Sequence, residues 1–86
     1  MKIYSHKNFE KQCRKLGKRE QEKTWERLEL FLEDSSHPLL NNHSLKGKYT
    51  DYRSINITGD LRAVYKYIGE DECIFVAIDT HSNLYS

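Results

Sequence analysis

The spacing of apolar residues changes once along the chain, and this change limits the possible folds more than any other feature. In residues 6–33 the apolar side chains recur three and four positions apart, in the runs Phe9, Cys13, Leu16 and Trp25, Leu28, Phe31, Leu32. That period predicts two amphipathic helices. Residues 52–79 instead show strand-like alternation and near-continuous apolar runs, broken by turn residues around Gly59 and Gly69. They are expected to form three antiparallel strands joined by tight turns.

A short strand at residues 2–4 precedes the helices, so the element order is β-α-α-β-β-β. The prediction is an α+β fold in which a helical hairpin packs on a small, mostly antiparallel sheet. Ser5 is expected to cap the first helix and Gly17 to end it, and Leu39 and Leu40 to anchor the following loop. The apolar run at residues 73–78 predicts a central strand covered on both faces. Residues 79–86 read as too short and polar for another element.

The length and composition limit the class of protein. A chain of 86 residues predicts one domain over residues 1–86. No apolar run approaches the ~18 residues of a membrane span. The start, MKIYSHKNFEKQ, has no apolar signal core, so a cytoplasmic location is expected. In that compartment Cys13 and Cys73 are expected to be reduced, buried thiols.

The positive charge is concentrated in two blocks. Residues 1–27 hold nine Lys/Arg and four Asp/Glu, a sum of +5, while residues 28–86 hold five and nine, a sum of −4. All five basic residues of the second part lie within residues 46–66, against only Asp51 and Asp60. This distribution is compatible with a phosphate-bearing partner.

Several polar residues have positions suited to chemistry. His81 follows the strongest strand and can transfer a proton near neutral pH; its alternative is an ordinary loop histidine. Arg53 and Arg62 open neighbouring strands and are expected to share one face as a phosphate clamp; cross-strand ion pairs are the alternative. Asp60 lies in a tight turn, where it can simply bond its own backbone. The four histidines lack zinc-ligand spacing, so neither a metal nor a cofactor is expected.

Four segments together resemble the RelE/ParE superfamily of bacterial toxins, nearest the YafQ-like type. They are His43-Ser44-Leu45-Lys46-Gly47, then Tyr52-Arg53, then Asp60-Leu61-Arg62-Ala63-Val64-Tyr65-Lys66, and finally Thr80-His81-Ser82-Asn83-Leu84-Tyr85. The resemblance extends over essentially the whole chain. It implies a microbial RNase-like fold, ribosome-dependent cleavage of mRNA and inhibition by a cognate antitoxin in a toxin–antitoxin heteromer. An acidic part of that antitoxin is expected to meet the basic residues 1–27.

The resemblance also implies roles for individual residues. His43, Asp60, His81 and Tyr85 match active-site positions of YafQ-like toxins, and Arg62 matches a strand arginine of RelE-type relatives. We expect His81 to be the proton donor, His43 or Asp60 the base, and Arg62 and Arg53 the phosphate clamp. Lys46 is expected to position RNA and Tyr85 to stack on a base.

Three positions depart from the family pattern. Asn56 stands where YafQ-like toxins can have a catalytic histidine, Leu61 where they have a tryptophan, and Ala77 where they have an arginine. Two alternative functions therefore stay open: a ParE-like inhibitor of DNA gyrase, and a catalytically weak module that only binds its antitoxin.

Overall fold

The computed structural model describes residues 1–85, in which three helices pack on a five-stranded mixed sheet. The strands are β1 (Lys2–Ser5), β2 (His43–Ser44), β3 (Arg53–Asn56), β4 (Leu61–Gly69) and β5 (Glu72–Thr80). The helices are α1 (Lys7–Arg14), α2 (Lys18–Glu33) and α3 (His81–Tyr85), and 3-10 turns occupy Pro38–Leu40 and Gly47–Tyr49. The strand order is β1-β5-β4-β3-β2, with β1 parallel to β5 and every other pair antiparallel. The predicted helical hairpin and three-stranded meander are confirmed, whereas β2 and α3 were not predicted.

The boundary between the first two helices differs from the prediction. His6, not Ser5, caps α1, and its Nδ1 accepts the backbone N–H of Asn8 at 3.0 Å. The helix closes on Lys15, and Gly17 is the N-cap of α2 with an ordinary extended backbone, φ −65°. Gly17 therefore begins the second helix rather than ending the first.

The buried side of α2 is rotated from the predicted one. Thr24, Leu28 and Phe31 form its buried stripe, while Trp25 is 58% and Leu32 47% exposed. Thr24 is tolerated inside because its hydroxyl donates to the carbonyl oxygen of Glu20 at 2.7 Å. The predictions for Trp25 and Leu32 were wrong because the stripe 24, 28, 31 fits the same helical period.

The core lies between the helical hairpin and one face of the sheet, which we call the core face. Phe31 packs edge-to-face against Tyr65 and Phe75, with ring centroids 4.9 and 5.5 Å apart. In the following loop Leu40 is fully buried but Leu39 is 57% exposed, so only one of the two predicted anchors is correct.

The opposite side, which we call the second face, is only partly covered. Along β5, Cys73, Phe75 and Ile78 are buried and the residues between them are partly exposed, so the strand is not covered on both sides as predicted. Val64 and Leu84 are the buried apolar residues outside the main core. Val64 alternates with the core-face residues Ala63 and Tyr65, and α3, which contains Leu84, packs on β5. Helix α3 thus covers part of the second face.

Both cysteines are unpaired, as predicted, but only Cys73 is buried as predicted, whereas Cys13 is half-buried at the margin of the core. Burial raises the pKa of the Cys13 and Cys73 thiols to about 11. Among the helices of residues 1–85, none has the length and apolar character needed to cross a bilayer.

Candidate active site

The sheet register brings predicted site residues onto the second face. His43 pairs with Ser54, Ser54 with Val64, and Asn56 with Arg62. Directly paired residues, and residues two apart on one strand, project from the same side of a sheet. His43 and Arg62 therefore share the face that α3 partly covers.

His43 has a hydrogen bond that fixes its tautomer. Its Nδ1 lies 2.8 Å from the backbone carbonyl oxygen of Asn41, and the ring is exposed. A carbonyl oxygen can only accept, so Nδ1 carries the hydrogen. The neutral ring then presents Nε2 as an acceptor, which is the form required of a general base.

Asp60 and His81 lie side by side. The backbone N–H of His81 donates to the carbonyl oxygen of Asp60 at 2.9 Å. The Thr58 hydroxyl accepts from the backbone N–H of Leu61 at 3.0 Å, and lies 3.4 Å from that of Asp60. Threonine thus closes the turn, and within residues 1–85 the exposed Asp60 carboxylate makes no side-chain hydrogen bond or ion pair.

Residues 81–85 form helix α3, contrary to the prediction that residues 79–86 are too short and polar for another element. Thr80 caps α3 by accepting the backbone N–H of Asn83 at 3.2 Å, and Asp79 accepts from the Asn83 side chain at 3.0 Å. One helical turn brings the rings of His81 and Tyr85 to 4.9 Å between centroids. The imidazole is therefore held against a neighbour rather than carried on a free tail.

Tyr85 is part of a row of aromatic side chains that was not predicted from the sequence. Its ring meets Tyr49 edge-on at 6.0 Å, and Tyr49 meets Tyr52 at 6.3 Å. Lys48 lies 5.4 Å above the Tyr49 ring and Lys66 lies 5.3 Å above the Tyr52 ring. The row links the segment after β2 to α3, and only the excess of tyrosines in this half of the chain hinted at it.

Arg62 is half-buried with part of its guanidinium still available. Its Nη1 donates to the backbone oxygens of Thr58 and Leu61, at 3.0 and 3.3 Å. Across residues 1–85 it makes no salt bridge, so the alternative of a cross-strand ion pair is not realised. With Nη1 bonded to the backbone, the other guanidinium N–H groups of Arg62 can bind an anion.

Arg53 is not beside Arg62, which corrects the predicted clamp. Arg53 pairs with Tyr65, a core-face residue, so the two arginines project from opposite sides of the sheet. Its Nε donates to Asn42 Oδ1 at 2.9 Å, and the Tyr65 hydroxyl donates to the same oxygen at 3.0 Å. Arg53 is thus part of a hydrogen-bonded group at the sheet margin. Lys46, by contrast, is exposed just before the Gly47–Tyr49 turn.

Comparison with known proteins identifies the family. A family model described as "Bacterial toxin of type II toxin-antitoxin system, YafQ" matches residues 1–86. The chain belongs to the YafQ family of toxins. None of the curated proteins matches it significantly.

Solved structures agree with this family's fold. A YoeB/ParE toxin from Agrobacterium tumefaciens has a TM-score of 0.78 at 21% identity, over 94% of this chain and 99% of that one. YafQ from E. coli strain BL21(DE3) has a TM-score of 0.76 at 21% identity, over 98% and 97%. YafQ in the E. coli DinJ-YafQ complex has a TM-score of 0.73 at 22% identity, over 98% and 97%.

The three positions at which the resemblance implies a departure from the YafQ-like pattern fall in different environments. Leu61 is buried in the core, where it packs as an ordinary apolar residue. Asn56 and Ala77 belong to the second face, because Asn56 pairs with Arg62 and Ala77 with Val64. Two of the three differences thus alter the face that carries His43 and Arg62.

This YafQ-family toxin also has unpaired polar atoms on that side of the molecule. Ser54 Oγ, Asn56 Oδ1 and the Tyr85 hydroxyl are buried without a hydrogen-bond partner among residues 1–85. Ser54 and Asn56 project from the second face, and Tyr85 belongs to the helix that covers it. An unpaired buried polar atom costs about 1–3 kcal/mol, so a group of them suggests a place where water or a ligand binds.

Proposed function

We propose that this YafQ-family toxin is an endoribonuclease that cleaves mRNA on the ribosome and so inhibits translation. The observations that support the proposal are that His43 and Arg62 project from the second face, and that the backbone bond between Asp60 and His81 lies just past the end of the β4–β5 ladder. RNA cleavage of this type is an in-line attack of a ribose 2′-OH on the adjacent phosphorus. The P–O5′ bond breaks, leaving a 2′,3′-cyclic phosphate and a 5′-OH, and no metal is required.

His43 is the favoured general base. The hydrogen bond from Nδ1 to Asn41 leaves Nε2 free to take the proton of the 2′-OH. Asp60 is the second candidate, since its carboxylate is exposed and uncommitted beside His81.

His81 is the proposed acid, which gives a proton to the departing 5′-oxygen. Its backbone is fixed by the bond to Asp60, and its ring is positioned by Tyr85 at 4.9 Å. A positioned acid lowers the barrier because the alkoxide never forms as a free anion.

Arg62 alone is the proposed phosphate clamp, because Arg53 faces the other way. A guanidinium beside the phosphorane stabilises charge that grows as the transition state forms. Lys46 is proposed to hold the RNA backbone through its exposed ammonium, and Tyr85 to stack on a base.

An antitoxin protein is the proposed regulator. The E. coli relative is described in a DinJ-YafQ toxin-antitoxin complex, at 22% identity to this chain. Residues 1–27, with their sum of +5, are suited to an acidic partner. We propose that this chain forms a comparable heteromer with its own antitoxin.

The test is a primer-extension assay on a defined mRNA carried by translating ribosomes, with a DNA gyrase supercoiling assay in parallel. Ribosome-dependent cleavage that leaves a 2′,3′-cyclic phosphate is the expected result. Gyrase inhibition without cleavage would identify a ParE-like activity instead. Inactivity in both assays would favour a weak antitoxin-binding module, the reading that Asn56 and Ala77 support.

A further inference from the structure

A line of side chains crosses the second face of the sheet at the end remote from helix α3. Lys66 of β4 pairs with Ile74 of β5, and Ile74 pairs with Tyr4 of β1. The two neighbours of Ile74 in its strand, Cys73 and Phe75, are buried in the core. Because side chains alternate along a strand, Ile74 and the residues paired with it project from the second face. Three adjacent strands thus contribute one residue each to this line.

A lysine lies against a tyrosine ring at both ends of the line. The Lys66 ammonium lies 5.3 Å from the centre of the Tyr52 ring, and the Lys2 ammonium lies 5.6 Å from the centre of the Tyr4 ring. A cation is held only weakly on an exposed ring, so a nucleobase can take its place while the ammonium moves to a phosphate. We call the four residues that cross the face the cross-strand row: Tyr52, Lys66, Ile74 and Tyr4.

The cross-strand row is accessible to a ligand. Tyr4 is 39% exposed, and the side chains of Ile74 and Lys66 are half-buried. Helix α3, which covers another part of this face, follows Thr80, roughly 20 Å along β5 from Ile74 at the usual rise per residue. An accessible sheet face that carries aromatic side chains is a surface on which other RNA-binding domains stack two or three bases.

The free positive charge of the row lies at its β4 end. Lys66 makes no ion pair within residues 1–85. It also ends the stretch of residues 46–66, whose five basic and two acidic residues sum to +3. At the β1 end, Glu72 accepts a hydrogen bond from the Tyr4 hydroxyl at 2.9 Å, and its charge offsets that of Lys2. A phosphate is therefore attracted to Lys66, whereas the β1 end offers a ring without net charge.

The row is continuous with the candidate active site. Lys66 and Arg62 lie on the same strand and the same face, roughly 13 Å apart at the usual rise per residue. The Tyr52 ring meets Tyr49 edge-on, and Tyr49 meets Tyr85 in the same way. An RNA strand whose scissile phosphate is at Arg62 can therefore continue along β4 to the row.

We propose that the cross-strand row is a second RNA-binding subsite, which holds two or three unpaired nucleotides that flank the cleaved bond. Their bases stack on Tyr52 and Tyr4, Ile74 supplies the apolar surface between the two rings, and Lys66 contacts a phosphate. The subsite tolerates any base sequence, because every base has a face that can stack. This inference rests on the proposed RNA substrate and adds contacts outside the candidate active site.

The test measures binding to RNA that cannot be cleaved. The probes are fluorescein-labelled 2′-O-methyl oligonucleotides, namely an unpaired nonamer, an unpaired trimer and the nonamer in a duplex. A trimer is long enough for the candidate active site alone, whereas the nonamer can also cover the row. By fluorescence anisotropy, the unpaired nonamer should bind roughly tenfold more tightly than the trimer, the usual effect of one further stacked base. It should also bind more tightly than the duplex, whose bases cannot stack on the protein.

Substitutions of Tyr4 connect this gain to the row. Tyr4→Ala should weaken nonamer binding roughly tenfold and leave trimer binding unchanged. Tyr4→Phe keeps the ring and should retain the affinity of wild type. Tyr67→Ala is the matched control, because Tyr67 is 49% exposed but pairs with Cys73 and so projects from the core side of β4. It should bind both oligonucleotides as wild type does.

Lys66→Ala tests the phosphate contact and does not depend on the folding of the tyrosine variants. Loss of one contact to single-stranded RNA should reduce the slope of log affinity against log salt concentration by about 0.7. Lys15→Ala, an exposed lysine at the end of α1, is the control and should keep the slope of wild type. Circular dichroism shows that each variant is folded.

Four results would overturn the subsite. They are equal binding of nonamer and trimer, absence of nonamer binding, equal binding of single-stranded and duplex RNA, and an unchanged salt slope in Lys66→Ala. A dimer that Tyr4→Ala abolishes would also overturn it, because a second copy would then occupy the row. Cleavage that persists in these cases would leave the proposed endonuclease standing. A chain that binds the nonamer through the row but cleaves nothing on the ribosome would instead contradict the endonuclease alone.

Discussion

The backbone N–H of His81 donates to the carbonyl oxygen of Asp60 at 2.9 Å, which joins the start of α3 to the turn between β3 and β4. This bond continues the ladder beyond the pair Leu61 and Thr80. The main chain of His81 is therefore fixed by the sheet, while its side chain is exposed. A residue with a rigid backbone and an accessible ring is well suited to deliver a proton.

His81→Ala should lower single-turnover cleavage by roughly 10²–10⁴-fold, the usual range for a lost general acid. Ribosome affinity should be nearly unchanged, because Arg62 and Lys46 remain. The melting temperature should also change little, since the side chain is exposed. Ser82→Ala, at the next exposed position of α3, is the matched control. Cleavage by His81→Ala within about threefold of wild type, far short of that range, would exclude His81 as the acid.

The two candidate bases can be separated by single substitutions. His43→Ala should lower single-turnover cleavage by about 10²–10⁴-fold, the usual contribution of a general base, whereas Asp60→Asn should stay within about threefold of wild type, far short of that range. Single-turnover rates of both variants are the measurement, and their melting temperatures show that each variant is folded. A large loss in Asp60→Asn together with a small loss in His43→Ala would assign the base to Asp60.

The two arginines should behave differently because they occupy opposite faces. Arg62→Ala should reduce cleavage by roughly 10²–10³-fold, as expected for a lost donor to transition-state charge, and it should weaken RNA binding as well. Arg53→Ala should instead lower the free energy of unfolding by about 1 kcal/mol, because it removes the hydrogen bond to Asn42. Rates and urea denaturation of both variants test this. A large catalytic defect in folded Arg53→Ala would contradict the assignment.

The wrong prediction for Arg53 shows that the strands can be predicted from the sequence but the face on which each side chain projects cannot. The apolar period and the glycine-containing turns predict the strands β3, β4 and β5 correctly. The face on which a residue projects depends on register, and a shift of one residue moves every side chain to the other side. The observed pairing of Asn56 with Arg62 is set by the turn at residues 57–60, whose length sequence reasoning did not use. With that register, Arg53 and Arg62 must project from opposite faces of the sheet.

Helix α3 was missed for a different reason. Its five residues carry no helical period, and so short a helix is not stable alone. It depends on tertiary contacts, namely the burial of Leu84 and the bond from His81 to Asp60. The family resemblance predicted the residues of the candidate site, but it did not predict that one turn of α3 brings the His81 and Tyr85 rings together.

The free energy of unfolding should fall in alkaline solution because the fold raises the pKa of both thiols. Burial raises the pKa of Cys13 and Cys73 from the ordinary 9.0 to about 11. Below pH 9 both the folded and unfolded chains keep these protons. Between about 9 and 11 the unfolded chain loses protons that the folded chain retains, so the free energy of unfolding decreases as pH rises. Urea denaturation from pH 7.5 to 10 should show this decline.

Cys13→Ala is the control variant for that decline, because it removes the half-buried thiol of Cys13 and leaves the buried thiol of Cys73 in place. Its stability should fall less steeply with pH than that of wild type. Tyr65, whose pKa burial raises from 10.0 to about 12, contributes mainly above pH 10. Parallel stability curves for wild type and Cys13→Ala between pH 9 and 10 would show that this thiol does not contribute.

Two substitutions of Tyr85 separate the contribution of its aromatic ring to RNA binding from the effect of its hydroxyl on stability. The hydroxyl is buried without a partner among residues 1–85, while the ring packs against His81 and Tyr49. Tyr85→Phe keeps the ring and removes an unpaired group that costs about 1–3 kcal/mol, so the melting temperature should stay the same or rise. Tyr85→Ala removes the stacking surface and should weaken RNA binding by about 1–3 kcal/mol, the usual worth of one stacked base. Calorimetry and the affinity for a non-cleavable 2′-deoxy-substituted oligonucleotide measure the two effects. If Tyr85→Phe binds RNA as poorly as Tyr85→Ala, the hydroxyl rather than the ring makes the contact.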